Sequence, residues 1–278
     1  MARVGSGQYD AAAFDRFEAG AWDARAGAYR DFWAPITARA GEALLDAAGV
    51  GPGDRVVDIG SGTGNLARQA ADRGALAIGV DVAPSMTALA TQLHPDLSFV
   101  AGAADRLPFA DGQFDVALLG FVLLHVGRPL GVLREAGRVL VGGGRLGLTL
   151  WDEGEANALH ASILGAVDRV GAKPPPDLPP GPPAYYADAD LVTLLEQAGY
   201  RDVDVRHVAF TVTFRDSAEM WQGMLRGGVR FPPLVHSQPP AIRARIHSEF
   251  ERHVGRYALP DGTLEVPTSI QVAAGKRR

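Results

Sequence analysis

The sequence predicts an α/β protein with a doubly wound, mostly parallel sheet. Three observations support this class: apolar segments of strand length alternate with helical segments between residues 55 and 151, a glycine-dense turn follows the first strand, and the second strand ends in a carboxylate. Apolar strands that alternate with helices are typical of a parallel sheet covered on both faces. The crossovers between such strands are expected to be right-handed.

Helical segments come first along the chain. Residues 8–33 carry aromatic side chains at helical spacing, and the segment 36–48 ends at Gly49. Pro35 stands between the two segments, and because proline lacks the amide N–H of a helix interior, we expect a break there. Residues 1–50 are therefore predicted to form an N-terminal helical cap.

The predicted core is a regular alternation of strands and helices. Strands are expected at 55–59, 76–80, 97–101, 114–119 and 145–151, and helices at 65–73, 84–93 and 129–139. In a parallel sheet the carboxyl ends of these strands share one edge, and that edge is where ligands bind.

The turn after the first strand is the most informative stretch of the chain. It contains glycine at positions 60, 62 and 64 and runs into a helix. Glycine is needed where a ligand touches the backbone, since a Cβ would block its approach and φ is often positive. The dinucleotide fingerprint Gly-x-Gly-x-x-Gly would place its third glycine where Asn65 stands. Asp81 ends the second strand, and its carboxylate is expected to accept hydrogen bonds from a ribose diol.

The chain changes character after Trp151. A helix at 156–171 leads into the proline-rich segment 174–183, which is interpreted as an extended loop beside the site, with a domain linker as the alternative. Further elements are expected as helices at 188–198, 218–225 and 240–254 and strands at 203–210 and 263–273. The helices between the last two strands are interpreted as a lid.

Composition limits the classes of function. The chain has 278 residues, of which 47% are hydrophobic, so it can bury one substantial core. The net charge is −5 and only the last three residues form a basic run, so nucleic acid is not expected as a partner. Cysteine is absent, which excludes disulfides, zinc thiolate sites and cysteine nucleophiles. Because the sequence shows neither a signal pattern nor an apolar run of bilayer-spanning length, we expect a cytoplasmic protein without a membrane partner.

Five segments in order resemble the class I S-adenosylmethionine (SAM) methyltransferases. The likeness is greatest to the ubiquinone- and menaquinone-biosynthesis-like branch (methyltransferase types 11 and 25), which includes many small-molecule enzymes of secondary metabolism. The segments are Asp58-Ile59-Gly60-Ser61-Gly62-Thr63-Gly64, Gly79-Val80-Asp81-Val82-Ala83-Pro84-Ser85-Met86, Leu107-Pro108-Phe109-Ala110-Asp111-Gly112-Gln113-Phe114-Asp115, Phe121-Val122-Leu123-Leu124-His125-Val126 and Leu140-Val141-Gly142-Gly143-Gly144-Arg145-Leu146. The resemblance is strong over residues 40–150. It implies a Rossmann-like methyltransferase fold with seven strands, the last of them antiparallel beside the fifth.

The resemblance also implies SAM as cofactor and S-adenosylhomocysteine as product. Within a single domain, residues 51–151 would bind SAM and residues 152–278 would form the acceptor pocket and lid. The cofactor site is expected to comprise Tyr29, Asp58, Gly60, Ser61, Gly62, Asp81, Val82, Met86, Ala104, Asp105 and Gly120. Asp58 is expected to act indirectly, by orienting the glycine turn from the end of the first strand. The alternatives are a helix-capping role for Asp81 and plain packing for Tyr29 and Met86. Ala103 departs from the family pattern, so a carboxylate that reads adenine would have to be Asp105.

Catalysis of methyl transfer requires few chemical groups from the protein, because the sulfonium already carries a good leaving group. The chain must align an acceptor and exclude water. His125 follows the fourth strand and is the candidate general base, with packing as the alternative. The acceptor pocket is expected to be mainly apolar, lined by Trp33, Trp151, Tyr185, Tyr186 and Trp221. The histidines at 160, 236 and 253 are expected to be superficial or structural, and no metal is expected, since residues 121–124 offer no acidic ligands.

The predicted function is therefore SAM-dependent methyl transfer to a small, apolar or aromatic metabolite. The sequence leaves open the acceptor, the methylated atom (O, C or N) and whether the protein is a monomer or a homodimer. One alternative is a protein of this fold that binds SAM without methylating. Another is an NAD(P)-dependent oxidoreductase, against which Asn65 and the Leu107-Pro108-Phe109 segment argue.

Overall fold

A seven-stranded sheet forms the centre of the structure, a computed structural model that describes residues 9–182 and 187–278. Its strands are β1 (Arg55–Ile59), β2 (Leu76–Asp81), β3 (Ser98–Ala101), β4 (Phe114–Gly120), β5 (Leu140–Trp151), β6 (Tyr200–Phe214) and β7 (Leu264–Arg277). They lie in the order β3-β2-β1-β4-β5-β7-β6. Strands β1 to β5 pair in parallel, and β7 is antiparallel to both β5 and β6. The predicted doubly wound, mostly parallel sheet is confirmed.

Helices lie before the sheet and between its strands. In the described residues they are α1 (Ala11–Asp23), α2 (Ala26–Thr37), α3 (Gly41–Ala47), α4 (Asn65–Asp72), α5 (Pro84–Leu93), α6 (Pro129–Val139), α7 (Ala158–Val170), α8 (Asp188–Gln197), α9 (Ser217–Gly227), α10 (Phe231–His236) and α11 (Pro240–Val254). Helices α9 to α11 form the expected insertion between β6 and β7. None of the helices in the described part of the chain has both the length and the apolar character that crossing a bilayer would require.

Each face of the sheet carries its own core. Val56 and Leu118 belong to one buried cluster with Leu44 of α3, whereas the next residues along both strands, Val57 and Leu119, belong to the other. Successive side chains of a strand point to opposite faces, so both faces of β1 and β4 need apolar residues. This explains why the central strands are continuous apolar runs.

Pro35 does not break the N-terminal helices, contrary to the prediction from sequence. It lies inside α2, and the chain turns instead between α1 and α2, at residues 24–25. Trp33 and Ile36, on either side of the proline, are 5% and 4% exposed. The packing of these neighbours holds the last turns helical even though the proline supplies no N–H.

Further elements differ from the sequence-based expectations, among them β6 and β7, which are longer than expected. Strand β5 begins at Leu140 rather than at residue 145, because Leu140 pairs with Phe114 before a register shift. Helix α10 was not predicted, since it is short and has prolines at its second and third positions, Pro232 and Pro233. Proline is tolerated in the first turn of a helix, where its missing N–H would have had no partner.

His207 of the edge strand β6 links the start of α8 to the end of β5. His207 of β6 contacts Asp152, just after β5, through Nδ1 at 2.9 Å, and Asp188 of α8 through Nε2 at 3.0 Å. Asp152 is 8% exposed and also accepts from the Ser269 hydroxyl. Since both ring nitrogens face carboxylates, the arrangement favours the imidazolium, and the hydrogen bond to Asp152 raises the pKa of His207.

The histidine contact predicts a pH-dependent stability. Because the pKa of His207 is raised in the folded state, protonated His207 adds to the free energy of unfolding. This stabilisation is complete below the unfolded-state pKa of about 6.5 and is lost as pH rises through the folded-state pKa. We expect His207→Gln to lower the melting temperature at pH 6 and the difference from the wild type to shrink towards pH 9. The exposed His236 provides the matched control, His236→Gln. A difference that stays constant between pH 6 and 9 would contradict the prediction.

Candidate active site

A large cavity of about 1200 Å³ lies at the carboxyl edge of the sheet. Gly60 follows β1, Asp81 ends β2, Gly120 ends β4 and Trp151 ends β5, and all four line it. Pockets for single small molecules usually measure roughly 300–1,000 Å³. The cavity is therefore large enough for a cofactor together with a second small molecule.

The glycine turn presents bare backbone to this cavity. Gly60 and Gly62 have φ of +69° and +52°, a region that side chains rarely adopt. A Cβ on Gly60 would lie 2.6 Å from Cγ2 of Val122, and one on Gly62 would lie 3.5 Å from Cε1 of Tyr29. A side chain at Gly60 would collide with Val122, and one at Gly62 would stand against Tyr29, so only glycine keeps the backbone bare here. We call this bare backbone the glycine cradle.

Asp81 holds the turn and lines the cavity at the same time. Its Oδ2 accepts from the Gly62 N–H at 2.8 Å and its Oδ1 from the Ala83 N–H at 2.9 Å. Burial raises the pKa of Asp81, while these N–H donors act in the opposite direction. A carboxylate has more lone pairs than two donors occupy, so it keeps acceptor capacity towards the cavity. The N-cap residue of α5 is Ala83, so Asp81 is not the cap itself.

Six other residues predicted to contact the cofactor also line the cavity: Tyr29, Val82, Met86, Ala104, Asp105 and Gly120. Their roles remain predictions. Asp105 lies 3.8 Å from the guanidinium of Arg128. Burial raises the pKa of the Tyr29 hydroxyl to about 12, so Tyr29 is a neutral wall of the site.

Asp58 and Ser61 lie beneath the turn rather than in the main cavity. Asp58 is 1% exposed and accepts from the Ala67 N–H at 3.1 Å, in the first turn of α4, and burial raises its pKa to about 7. This is a position from which it orients the turn indirectly. The Ser61 side chain, expected at the cofactor, points towards Gly79, where a Cβ would lie 2.7 Å from its Oγ. The side chain of Ser61 therefore lies away from the cavity, and the contact with the cofactor expected for this residue stays a prediction.

The cavity suits a ligand that combines a ribose with a positive charge. The glycine cradle admits close contact with backbone, and Asp81 offers acceptor capacity for a diol. Among the described residues that line the cavity, carboxylates outnumber arginines. SAM carries a sulfonium and an adenosine, and the residues present fit such a group.

His125 is held by a buried carboxylate that the sequence analysis missed. Glu18 of α1 is 2% exposed; its Oε2 lies 2.9 Å from Nδ1 of His125, and its Oε1 accepts from Arg230 at 3.2 Å. Arg230 also donates to the Pro179 carbonyl at 2.8 Å. A buried carboxylate accepts from Nδ1–H, so in the neutral imidazole the Nε2 lone pair is free. No motif marks Glu18 or Arg230, because their partners are distant in sequence.

Aromatic rings form the other side of the cavity. We call Phe121, Trp151, Trp33, Phe231 and His160 the aromatic box. Phe121 has φ of +62°, which is rare for a bulky residue, and its ring stacks on Trp151 at 4.2 Å. Its N–H donates to the Thr149 side chain at 3.1 Å. Strained backbone of this kind is concentrated at functional sites.

The other predicted acceptor residues have different outcomes. Trp33 and Trp151 line the cavity, whereas Trp221 does not. Trp221 of α9 packs against α11, with its ring 4.8 Å from that of His247 and 4.9 Å from that of Phe250. The inserted helices need aromatic residues for their own core. Tyr185 and Tyr186 lie outside the described residues.

The expectation for the histidines of the variable region is wrong in one case. His160 lines the cavity, with its ring 4.7 Å from Trp151 and 5.3 Å from Trp33. His253 is 5% exposed and contacts Arg256, as a structural residue would, and His236 is exposed. Helical periodicity alone did not distinguish the cavity face of α7 from its other faces.

The comparisons with known proteins agree with the geometry. Residues 57–148 match the family model described as a methyltransferase domain. The chain is 45% identical over 104 residues to the demethylmenaquinone methyltransferase of Beutenbergia cavernae, a match that spans 37% of this chain and 43% of that protein. It thus spans less than half the length of that relative. The corresponding protein of Paenarthrobacter aurescens is 30% identical over 184 residues, which are 60% of this chain and 70% of that protein.

A solved structure shares the fold. It is a SAM-dependent methyltransferase from Thermotoga maritima, described as a possible histamine N-methyltransferase, with a TM-score of 0.56 and 19% identity, covering 94% of this chain and 100% of its own. At this identity the likeness concerns the fold alone. The match to the Paenarthrobacter protein extends over more than two thirds of that relative. The chain belongs to the class I SAM-dependent methyltransferase family, in its menaquinone-like branch, whose cofactor is SAM.

Proposed function

We propose that the protein transfers the methyl group of SAM to a small, mainly apolar or aromatic metabolite. The observation that carries this proposal is the shared cavity: the glycine cradle and Asp81 line the same volume as His125 and the aromatic box. The names of the relatives, demethylmenaquinone methyltransferases, support a small quinone-like molecule among the acceptors to be tested.

The chain's own residues supply binding and alignment. Backbone at Gly60 and Gly62 would lie against the methionine part of the cofactor, and Asp81 would accept from the ribose hydroxyls. Bound SAM would supply a methyl group attached to a positively charged sulfur. The neutral thioether, S-adenosylhomocysteine, is the leaving group. The stacked rings of Phe121 and Trp151 would orient the acceptor and exclude water.

His125 is the candidate general base for an acceptor that must lose a proton. Glu18 holds the proton on Nδ1, so the Nε2 lone pair is available to take the proton from a hydroxyl or an acidic carbon. The Glu18 carboxylate then stabilises the imidazolium that forms. Trp22 packs edge-on against the His125 ring at 5.0 Å and restricts its rotation.

The experiment that tests the function combines ligand binding with turnover. Melting temperatures are measured with SAM, S-adenosylhomocysteine, NAD and NADP, because a ligand at about 100 times its dissociation constant stabilises by roughly 2.7 kcal/mol. Mass spectrometry then follows methylation of 1-naphthol and 1,4-naphthoquinol as probes. Stabilisation by SAM with a methylated product supports the proposal. Stabilisation by NAD or NADP alone would overturn it, and stabilisation by SAM without methylation of either probe would favour the non-methylating alternative.

Asp81→Asn is expected to weaken the binding of S-adenosylhomocysteine by about tenfold or more. The substitution removes a charged acceptor, and hydrogen bonds to charged groups contribute roughly 1.5–3 kcal/mol. It also leaves an amide NH₂ facing a backbone N–H of the turn. Isothermal titration calorimetry measures the affinity, with the exposed surface variant Asp72→Asn as control. Equal affinity in Asp81→Asn and the control would rule out the ribose assignment.

His125→Ala is expected to lower kcat by about 100-fold, the lower end of what general base catalysis contributes. The affinity for S-adenosylhomocysteine should stay within about twofold, and added imidazole should restore part of the rate. Glu18→Gln keeps a neutral acceptor at Nδ1 and should reduce kcat less. Steady-state kinetics, with whichever of the two probes the wild type methylates as substrate, provide the rates, and His236→Ala is the control. A near-normal kcat in His125→Ala would return this residue to a packing role.

A further inference from the structure

His160 is the titratable member of the aromatic box, and the proposed mechanism does not use it. It lies on the first turn of α7, and its ring is surrounded by Trp33, Trp151 and Phe231, at 5.3, 4.7 and 5.5 Å between ring centroids. Which ligand groups this ring can bind depends on which of its nitrogens carries the proton. The neighbouring Asn157 determines that state.

Asn157 determines which nitrogen of His160 carries the proton. Asn157 is the N-cap of α7 and is fully buried, and its Oδ1 accepts from the backbone N–H of His160 at 3.3 Å. The opposite amide orientation would set an NH₂ against that N–H, donor against donor. With Oδ1 placed at the cap, Nδ2 lies 3.0 Å from Nδ1 of His160 and donates to it. Nδ1 is therefore an acceptor, and the proton of the neutral ring resides on Nε2.

His160 stays neutral in the pH range of ordinary enzymes. Burial lowers the pKa of His160 to about 3, and the positive charge that His125 can carry acts in the same direction. Nε2 has no hydrogen-bond partner among the described residues. The ring is thus an N–H donor without charge. The indole N–H of Trp33 is also a donor without a partner among the described residues, but that nitrogen is buried beneath the wall.

We propose that the aromatic box is the subsite for the acceptor ring and that His160 Nε2–H donates to an oxygen of that ring. The subsite would then select flat aromatic compounds that carry a carbonyl or phenolic oxygen over the same ring without oxygen. An aromatic box can also hold an ammonium group, but an N–H donor pointing at a cation is unfavourable. The assignment deepens the proposed function and rests on it only in calling the bound ring the acceptor.

The test compares three probes that share one ring system. They are 1,4-naphthoquinone, whose oxygens only accept; naphthalene, which has none; and 1-naphthylmethylamine, which is an ammonium at pH 7. Affinities are measured by quenching of tryptophan fluorescence in the presence of S-adenosylhomocysteine, since Trp33 and Trp151 belong to the box. The chain contains no cysteine, so the quinone has no thiol to react with.

The wild type is expected to bind the quinone about fivefold or more tightly than naphthalene, and the ammonium most weakly. His160→Phe keeps an aromatic wall but cannot donate, so the ratio of quinone to naphthalene affinity should fall to about one, with naphthalene affinity within about twofold. His160→Leu is the second variant if the first does not fold. Equal binding of quinone and naphthalene by the wild type, tighter binding of the ammonium, or an unchanged ratio in the variant would each overturn the assignment.

Two further measurements separate this assignment from the proposed function. Nitrogen-15 spectra of the histidine side chains should show an Nε2–H tautomer for His160 that shifts when the quinone binds. Affinity for S-adenosylhomocysteine should be the same in His160→Phe and the wild type. If the probes are not methylated but the affinity ratio behaves as expected, the function fails and the subsite stands. If methylation occurs but the ratio of quinone to naphthalene affinity is the same in His160→Phe and the wild type, the assignment of His160 is wrong and the proposed function stands.

Discussion

The arrangement of the site depends on one buried carboxylate. Glu18 is 2% exposed, and a carboxylate removed from water in this way is stable only with partners. Its partners are His125, in the turn that follows the central strand β4, and Arg230, the N-cap residue of α10. Arg230 in turn donates to Pro179 in the proline-rich loop. One charge therefore joins the N-terminal cap, the sheet, the loop and the lid around the same cavity.

Asp81 also has two tasks, at the glycine turn. Asp81 binds the Gly62 N–H, while the N–H groups of Gly60 and Ser61 donate to the Val80 carbonyl. The turn after β1 is thus fastened to the end of β2 on both sides. The residue expected to recognise the ribose is also the residue that shapes the cradle. Binding and structure are difficult to separate at this position, which is why the affinity of a variant must be measured against a surface control.

Two histidines face one cavity with opposite hydrogen-bonding states. His125 has a carboxylate at Nδ1, which holds a proton there and leaves Nε2 with a free lone pair. His160 has an amide NH₂ at Nδ1, which forces the proton onto Nε2. The first ring can accept a proton at Nε2, and the second can only donate a hydrogen bond from Nε2. Environment, rather than residue type, separates the two roles.

The sequence by itself determined the sheet, the glycine turn and the carboxylate after the second strand. These depend on short-range patterns: apolar strands between helices, positive φ at Gly60 and Gly62, and a strand end at Asp81. Only the tertiary structure decided which aromatic residues line the cavity and which residues contact His125. Glu18 and His125 are 107 residues apart, and Arg230 is 212 residues from Glu18. Periodicity shows that a helix buries a face but not what that face meets, so Trp221 was placed in the cavity and His160 outside it. Contacts between distant segments are set by packing of the whole chain, and no local pattern encodes them.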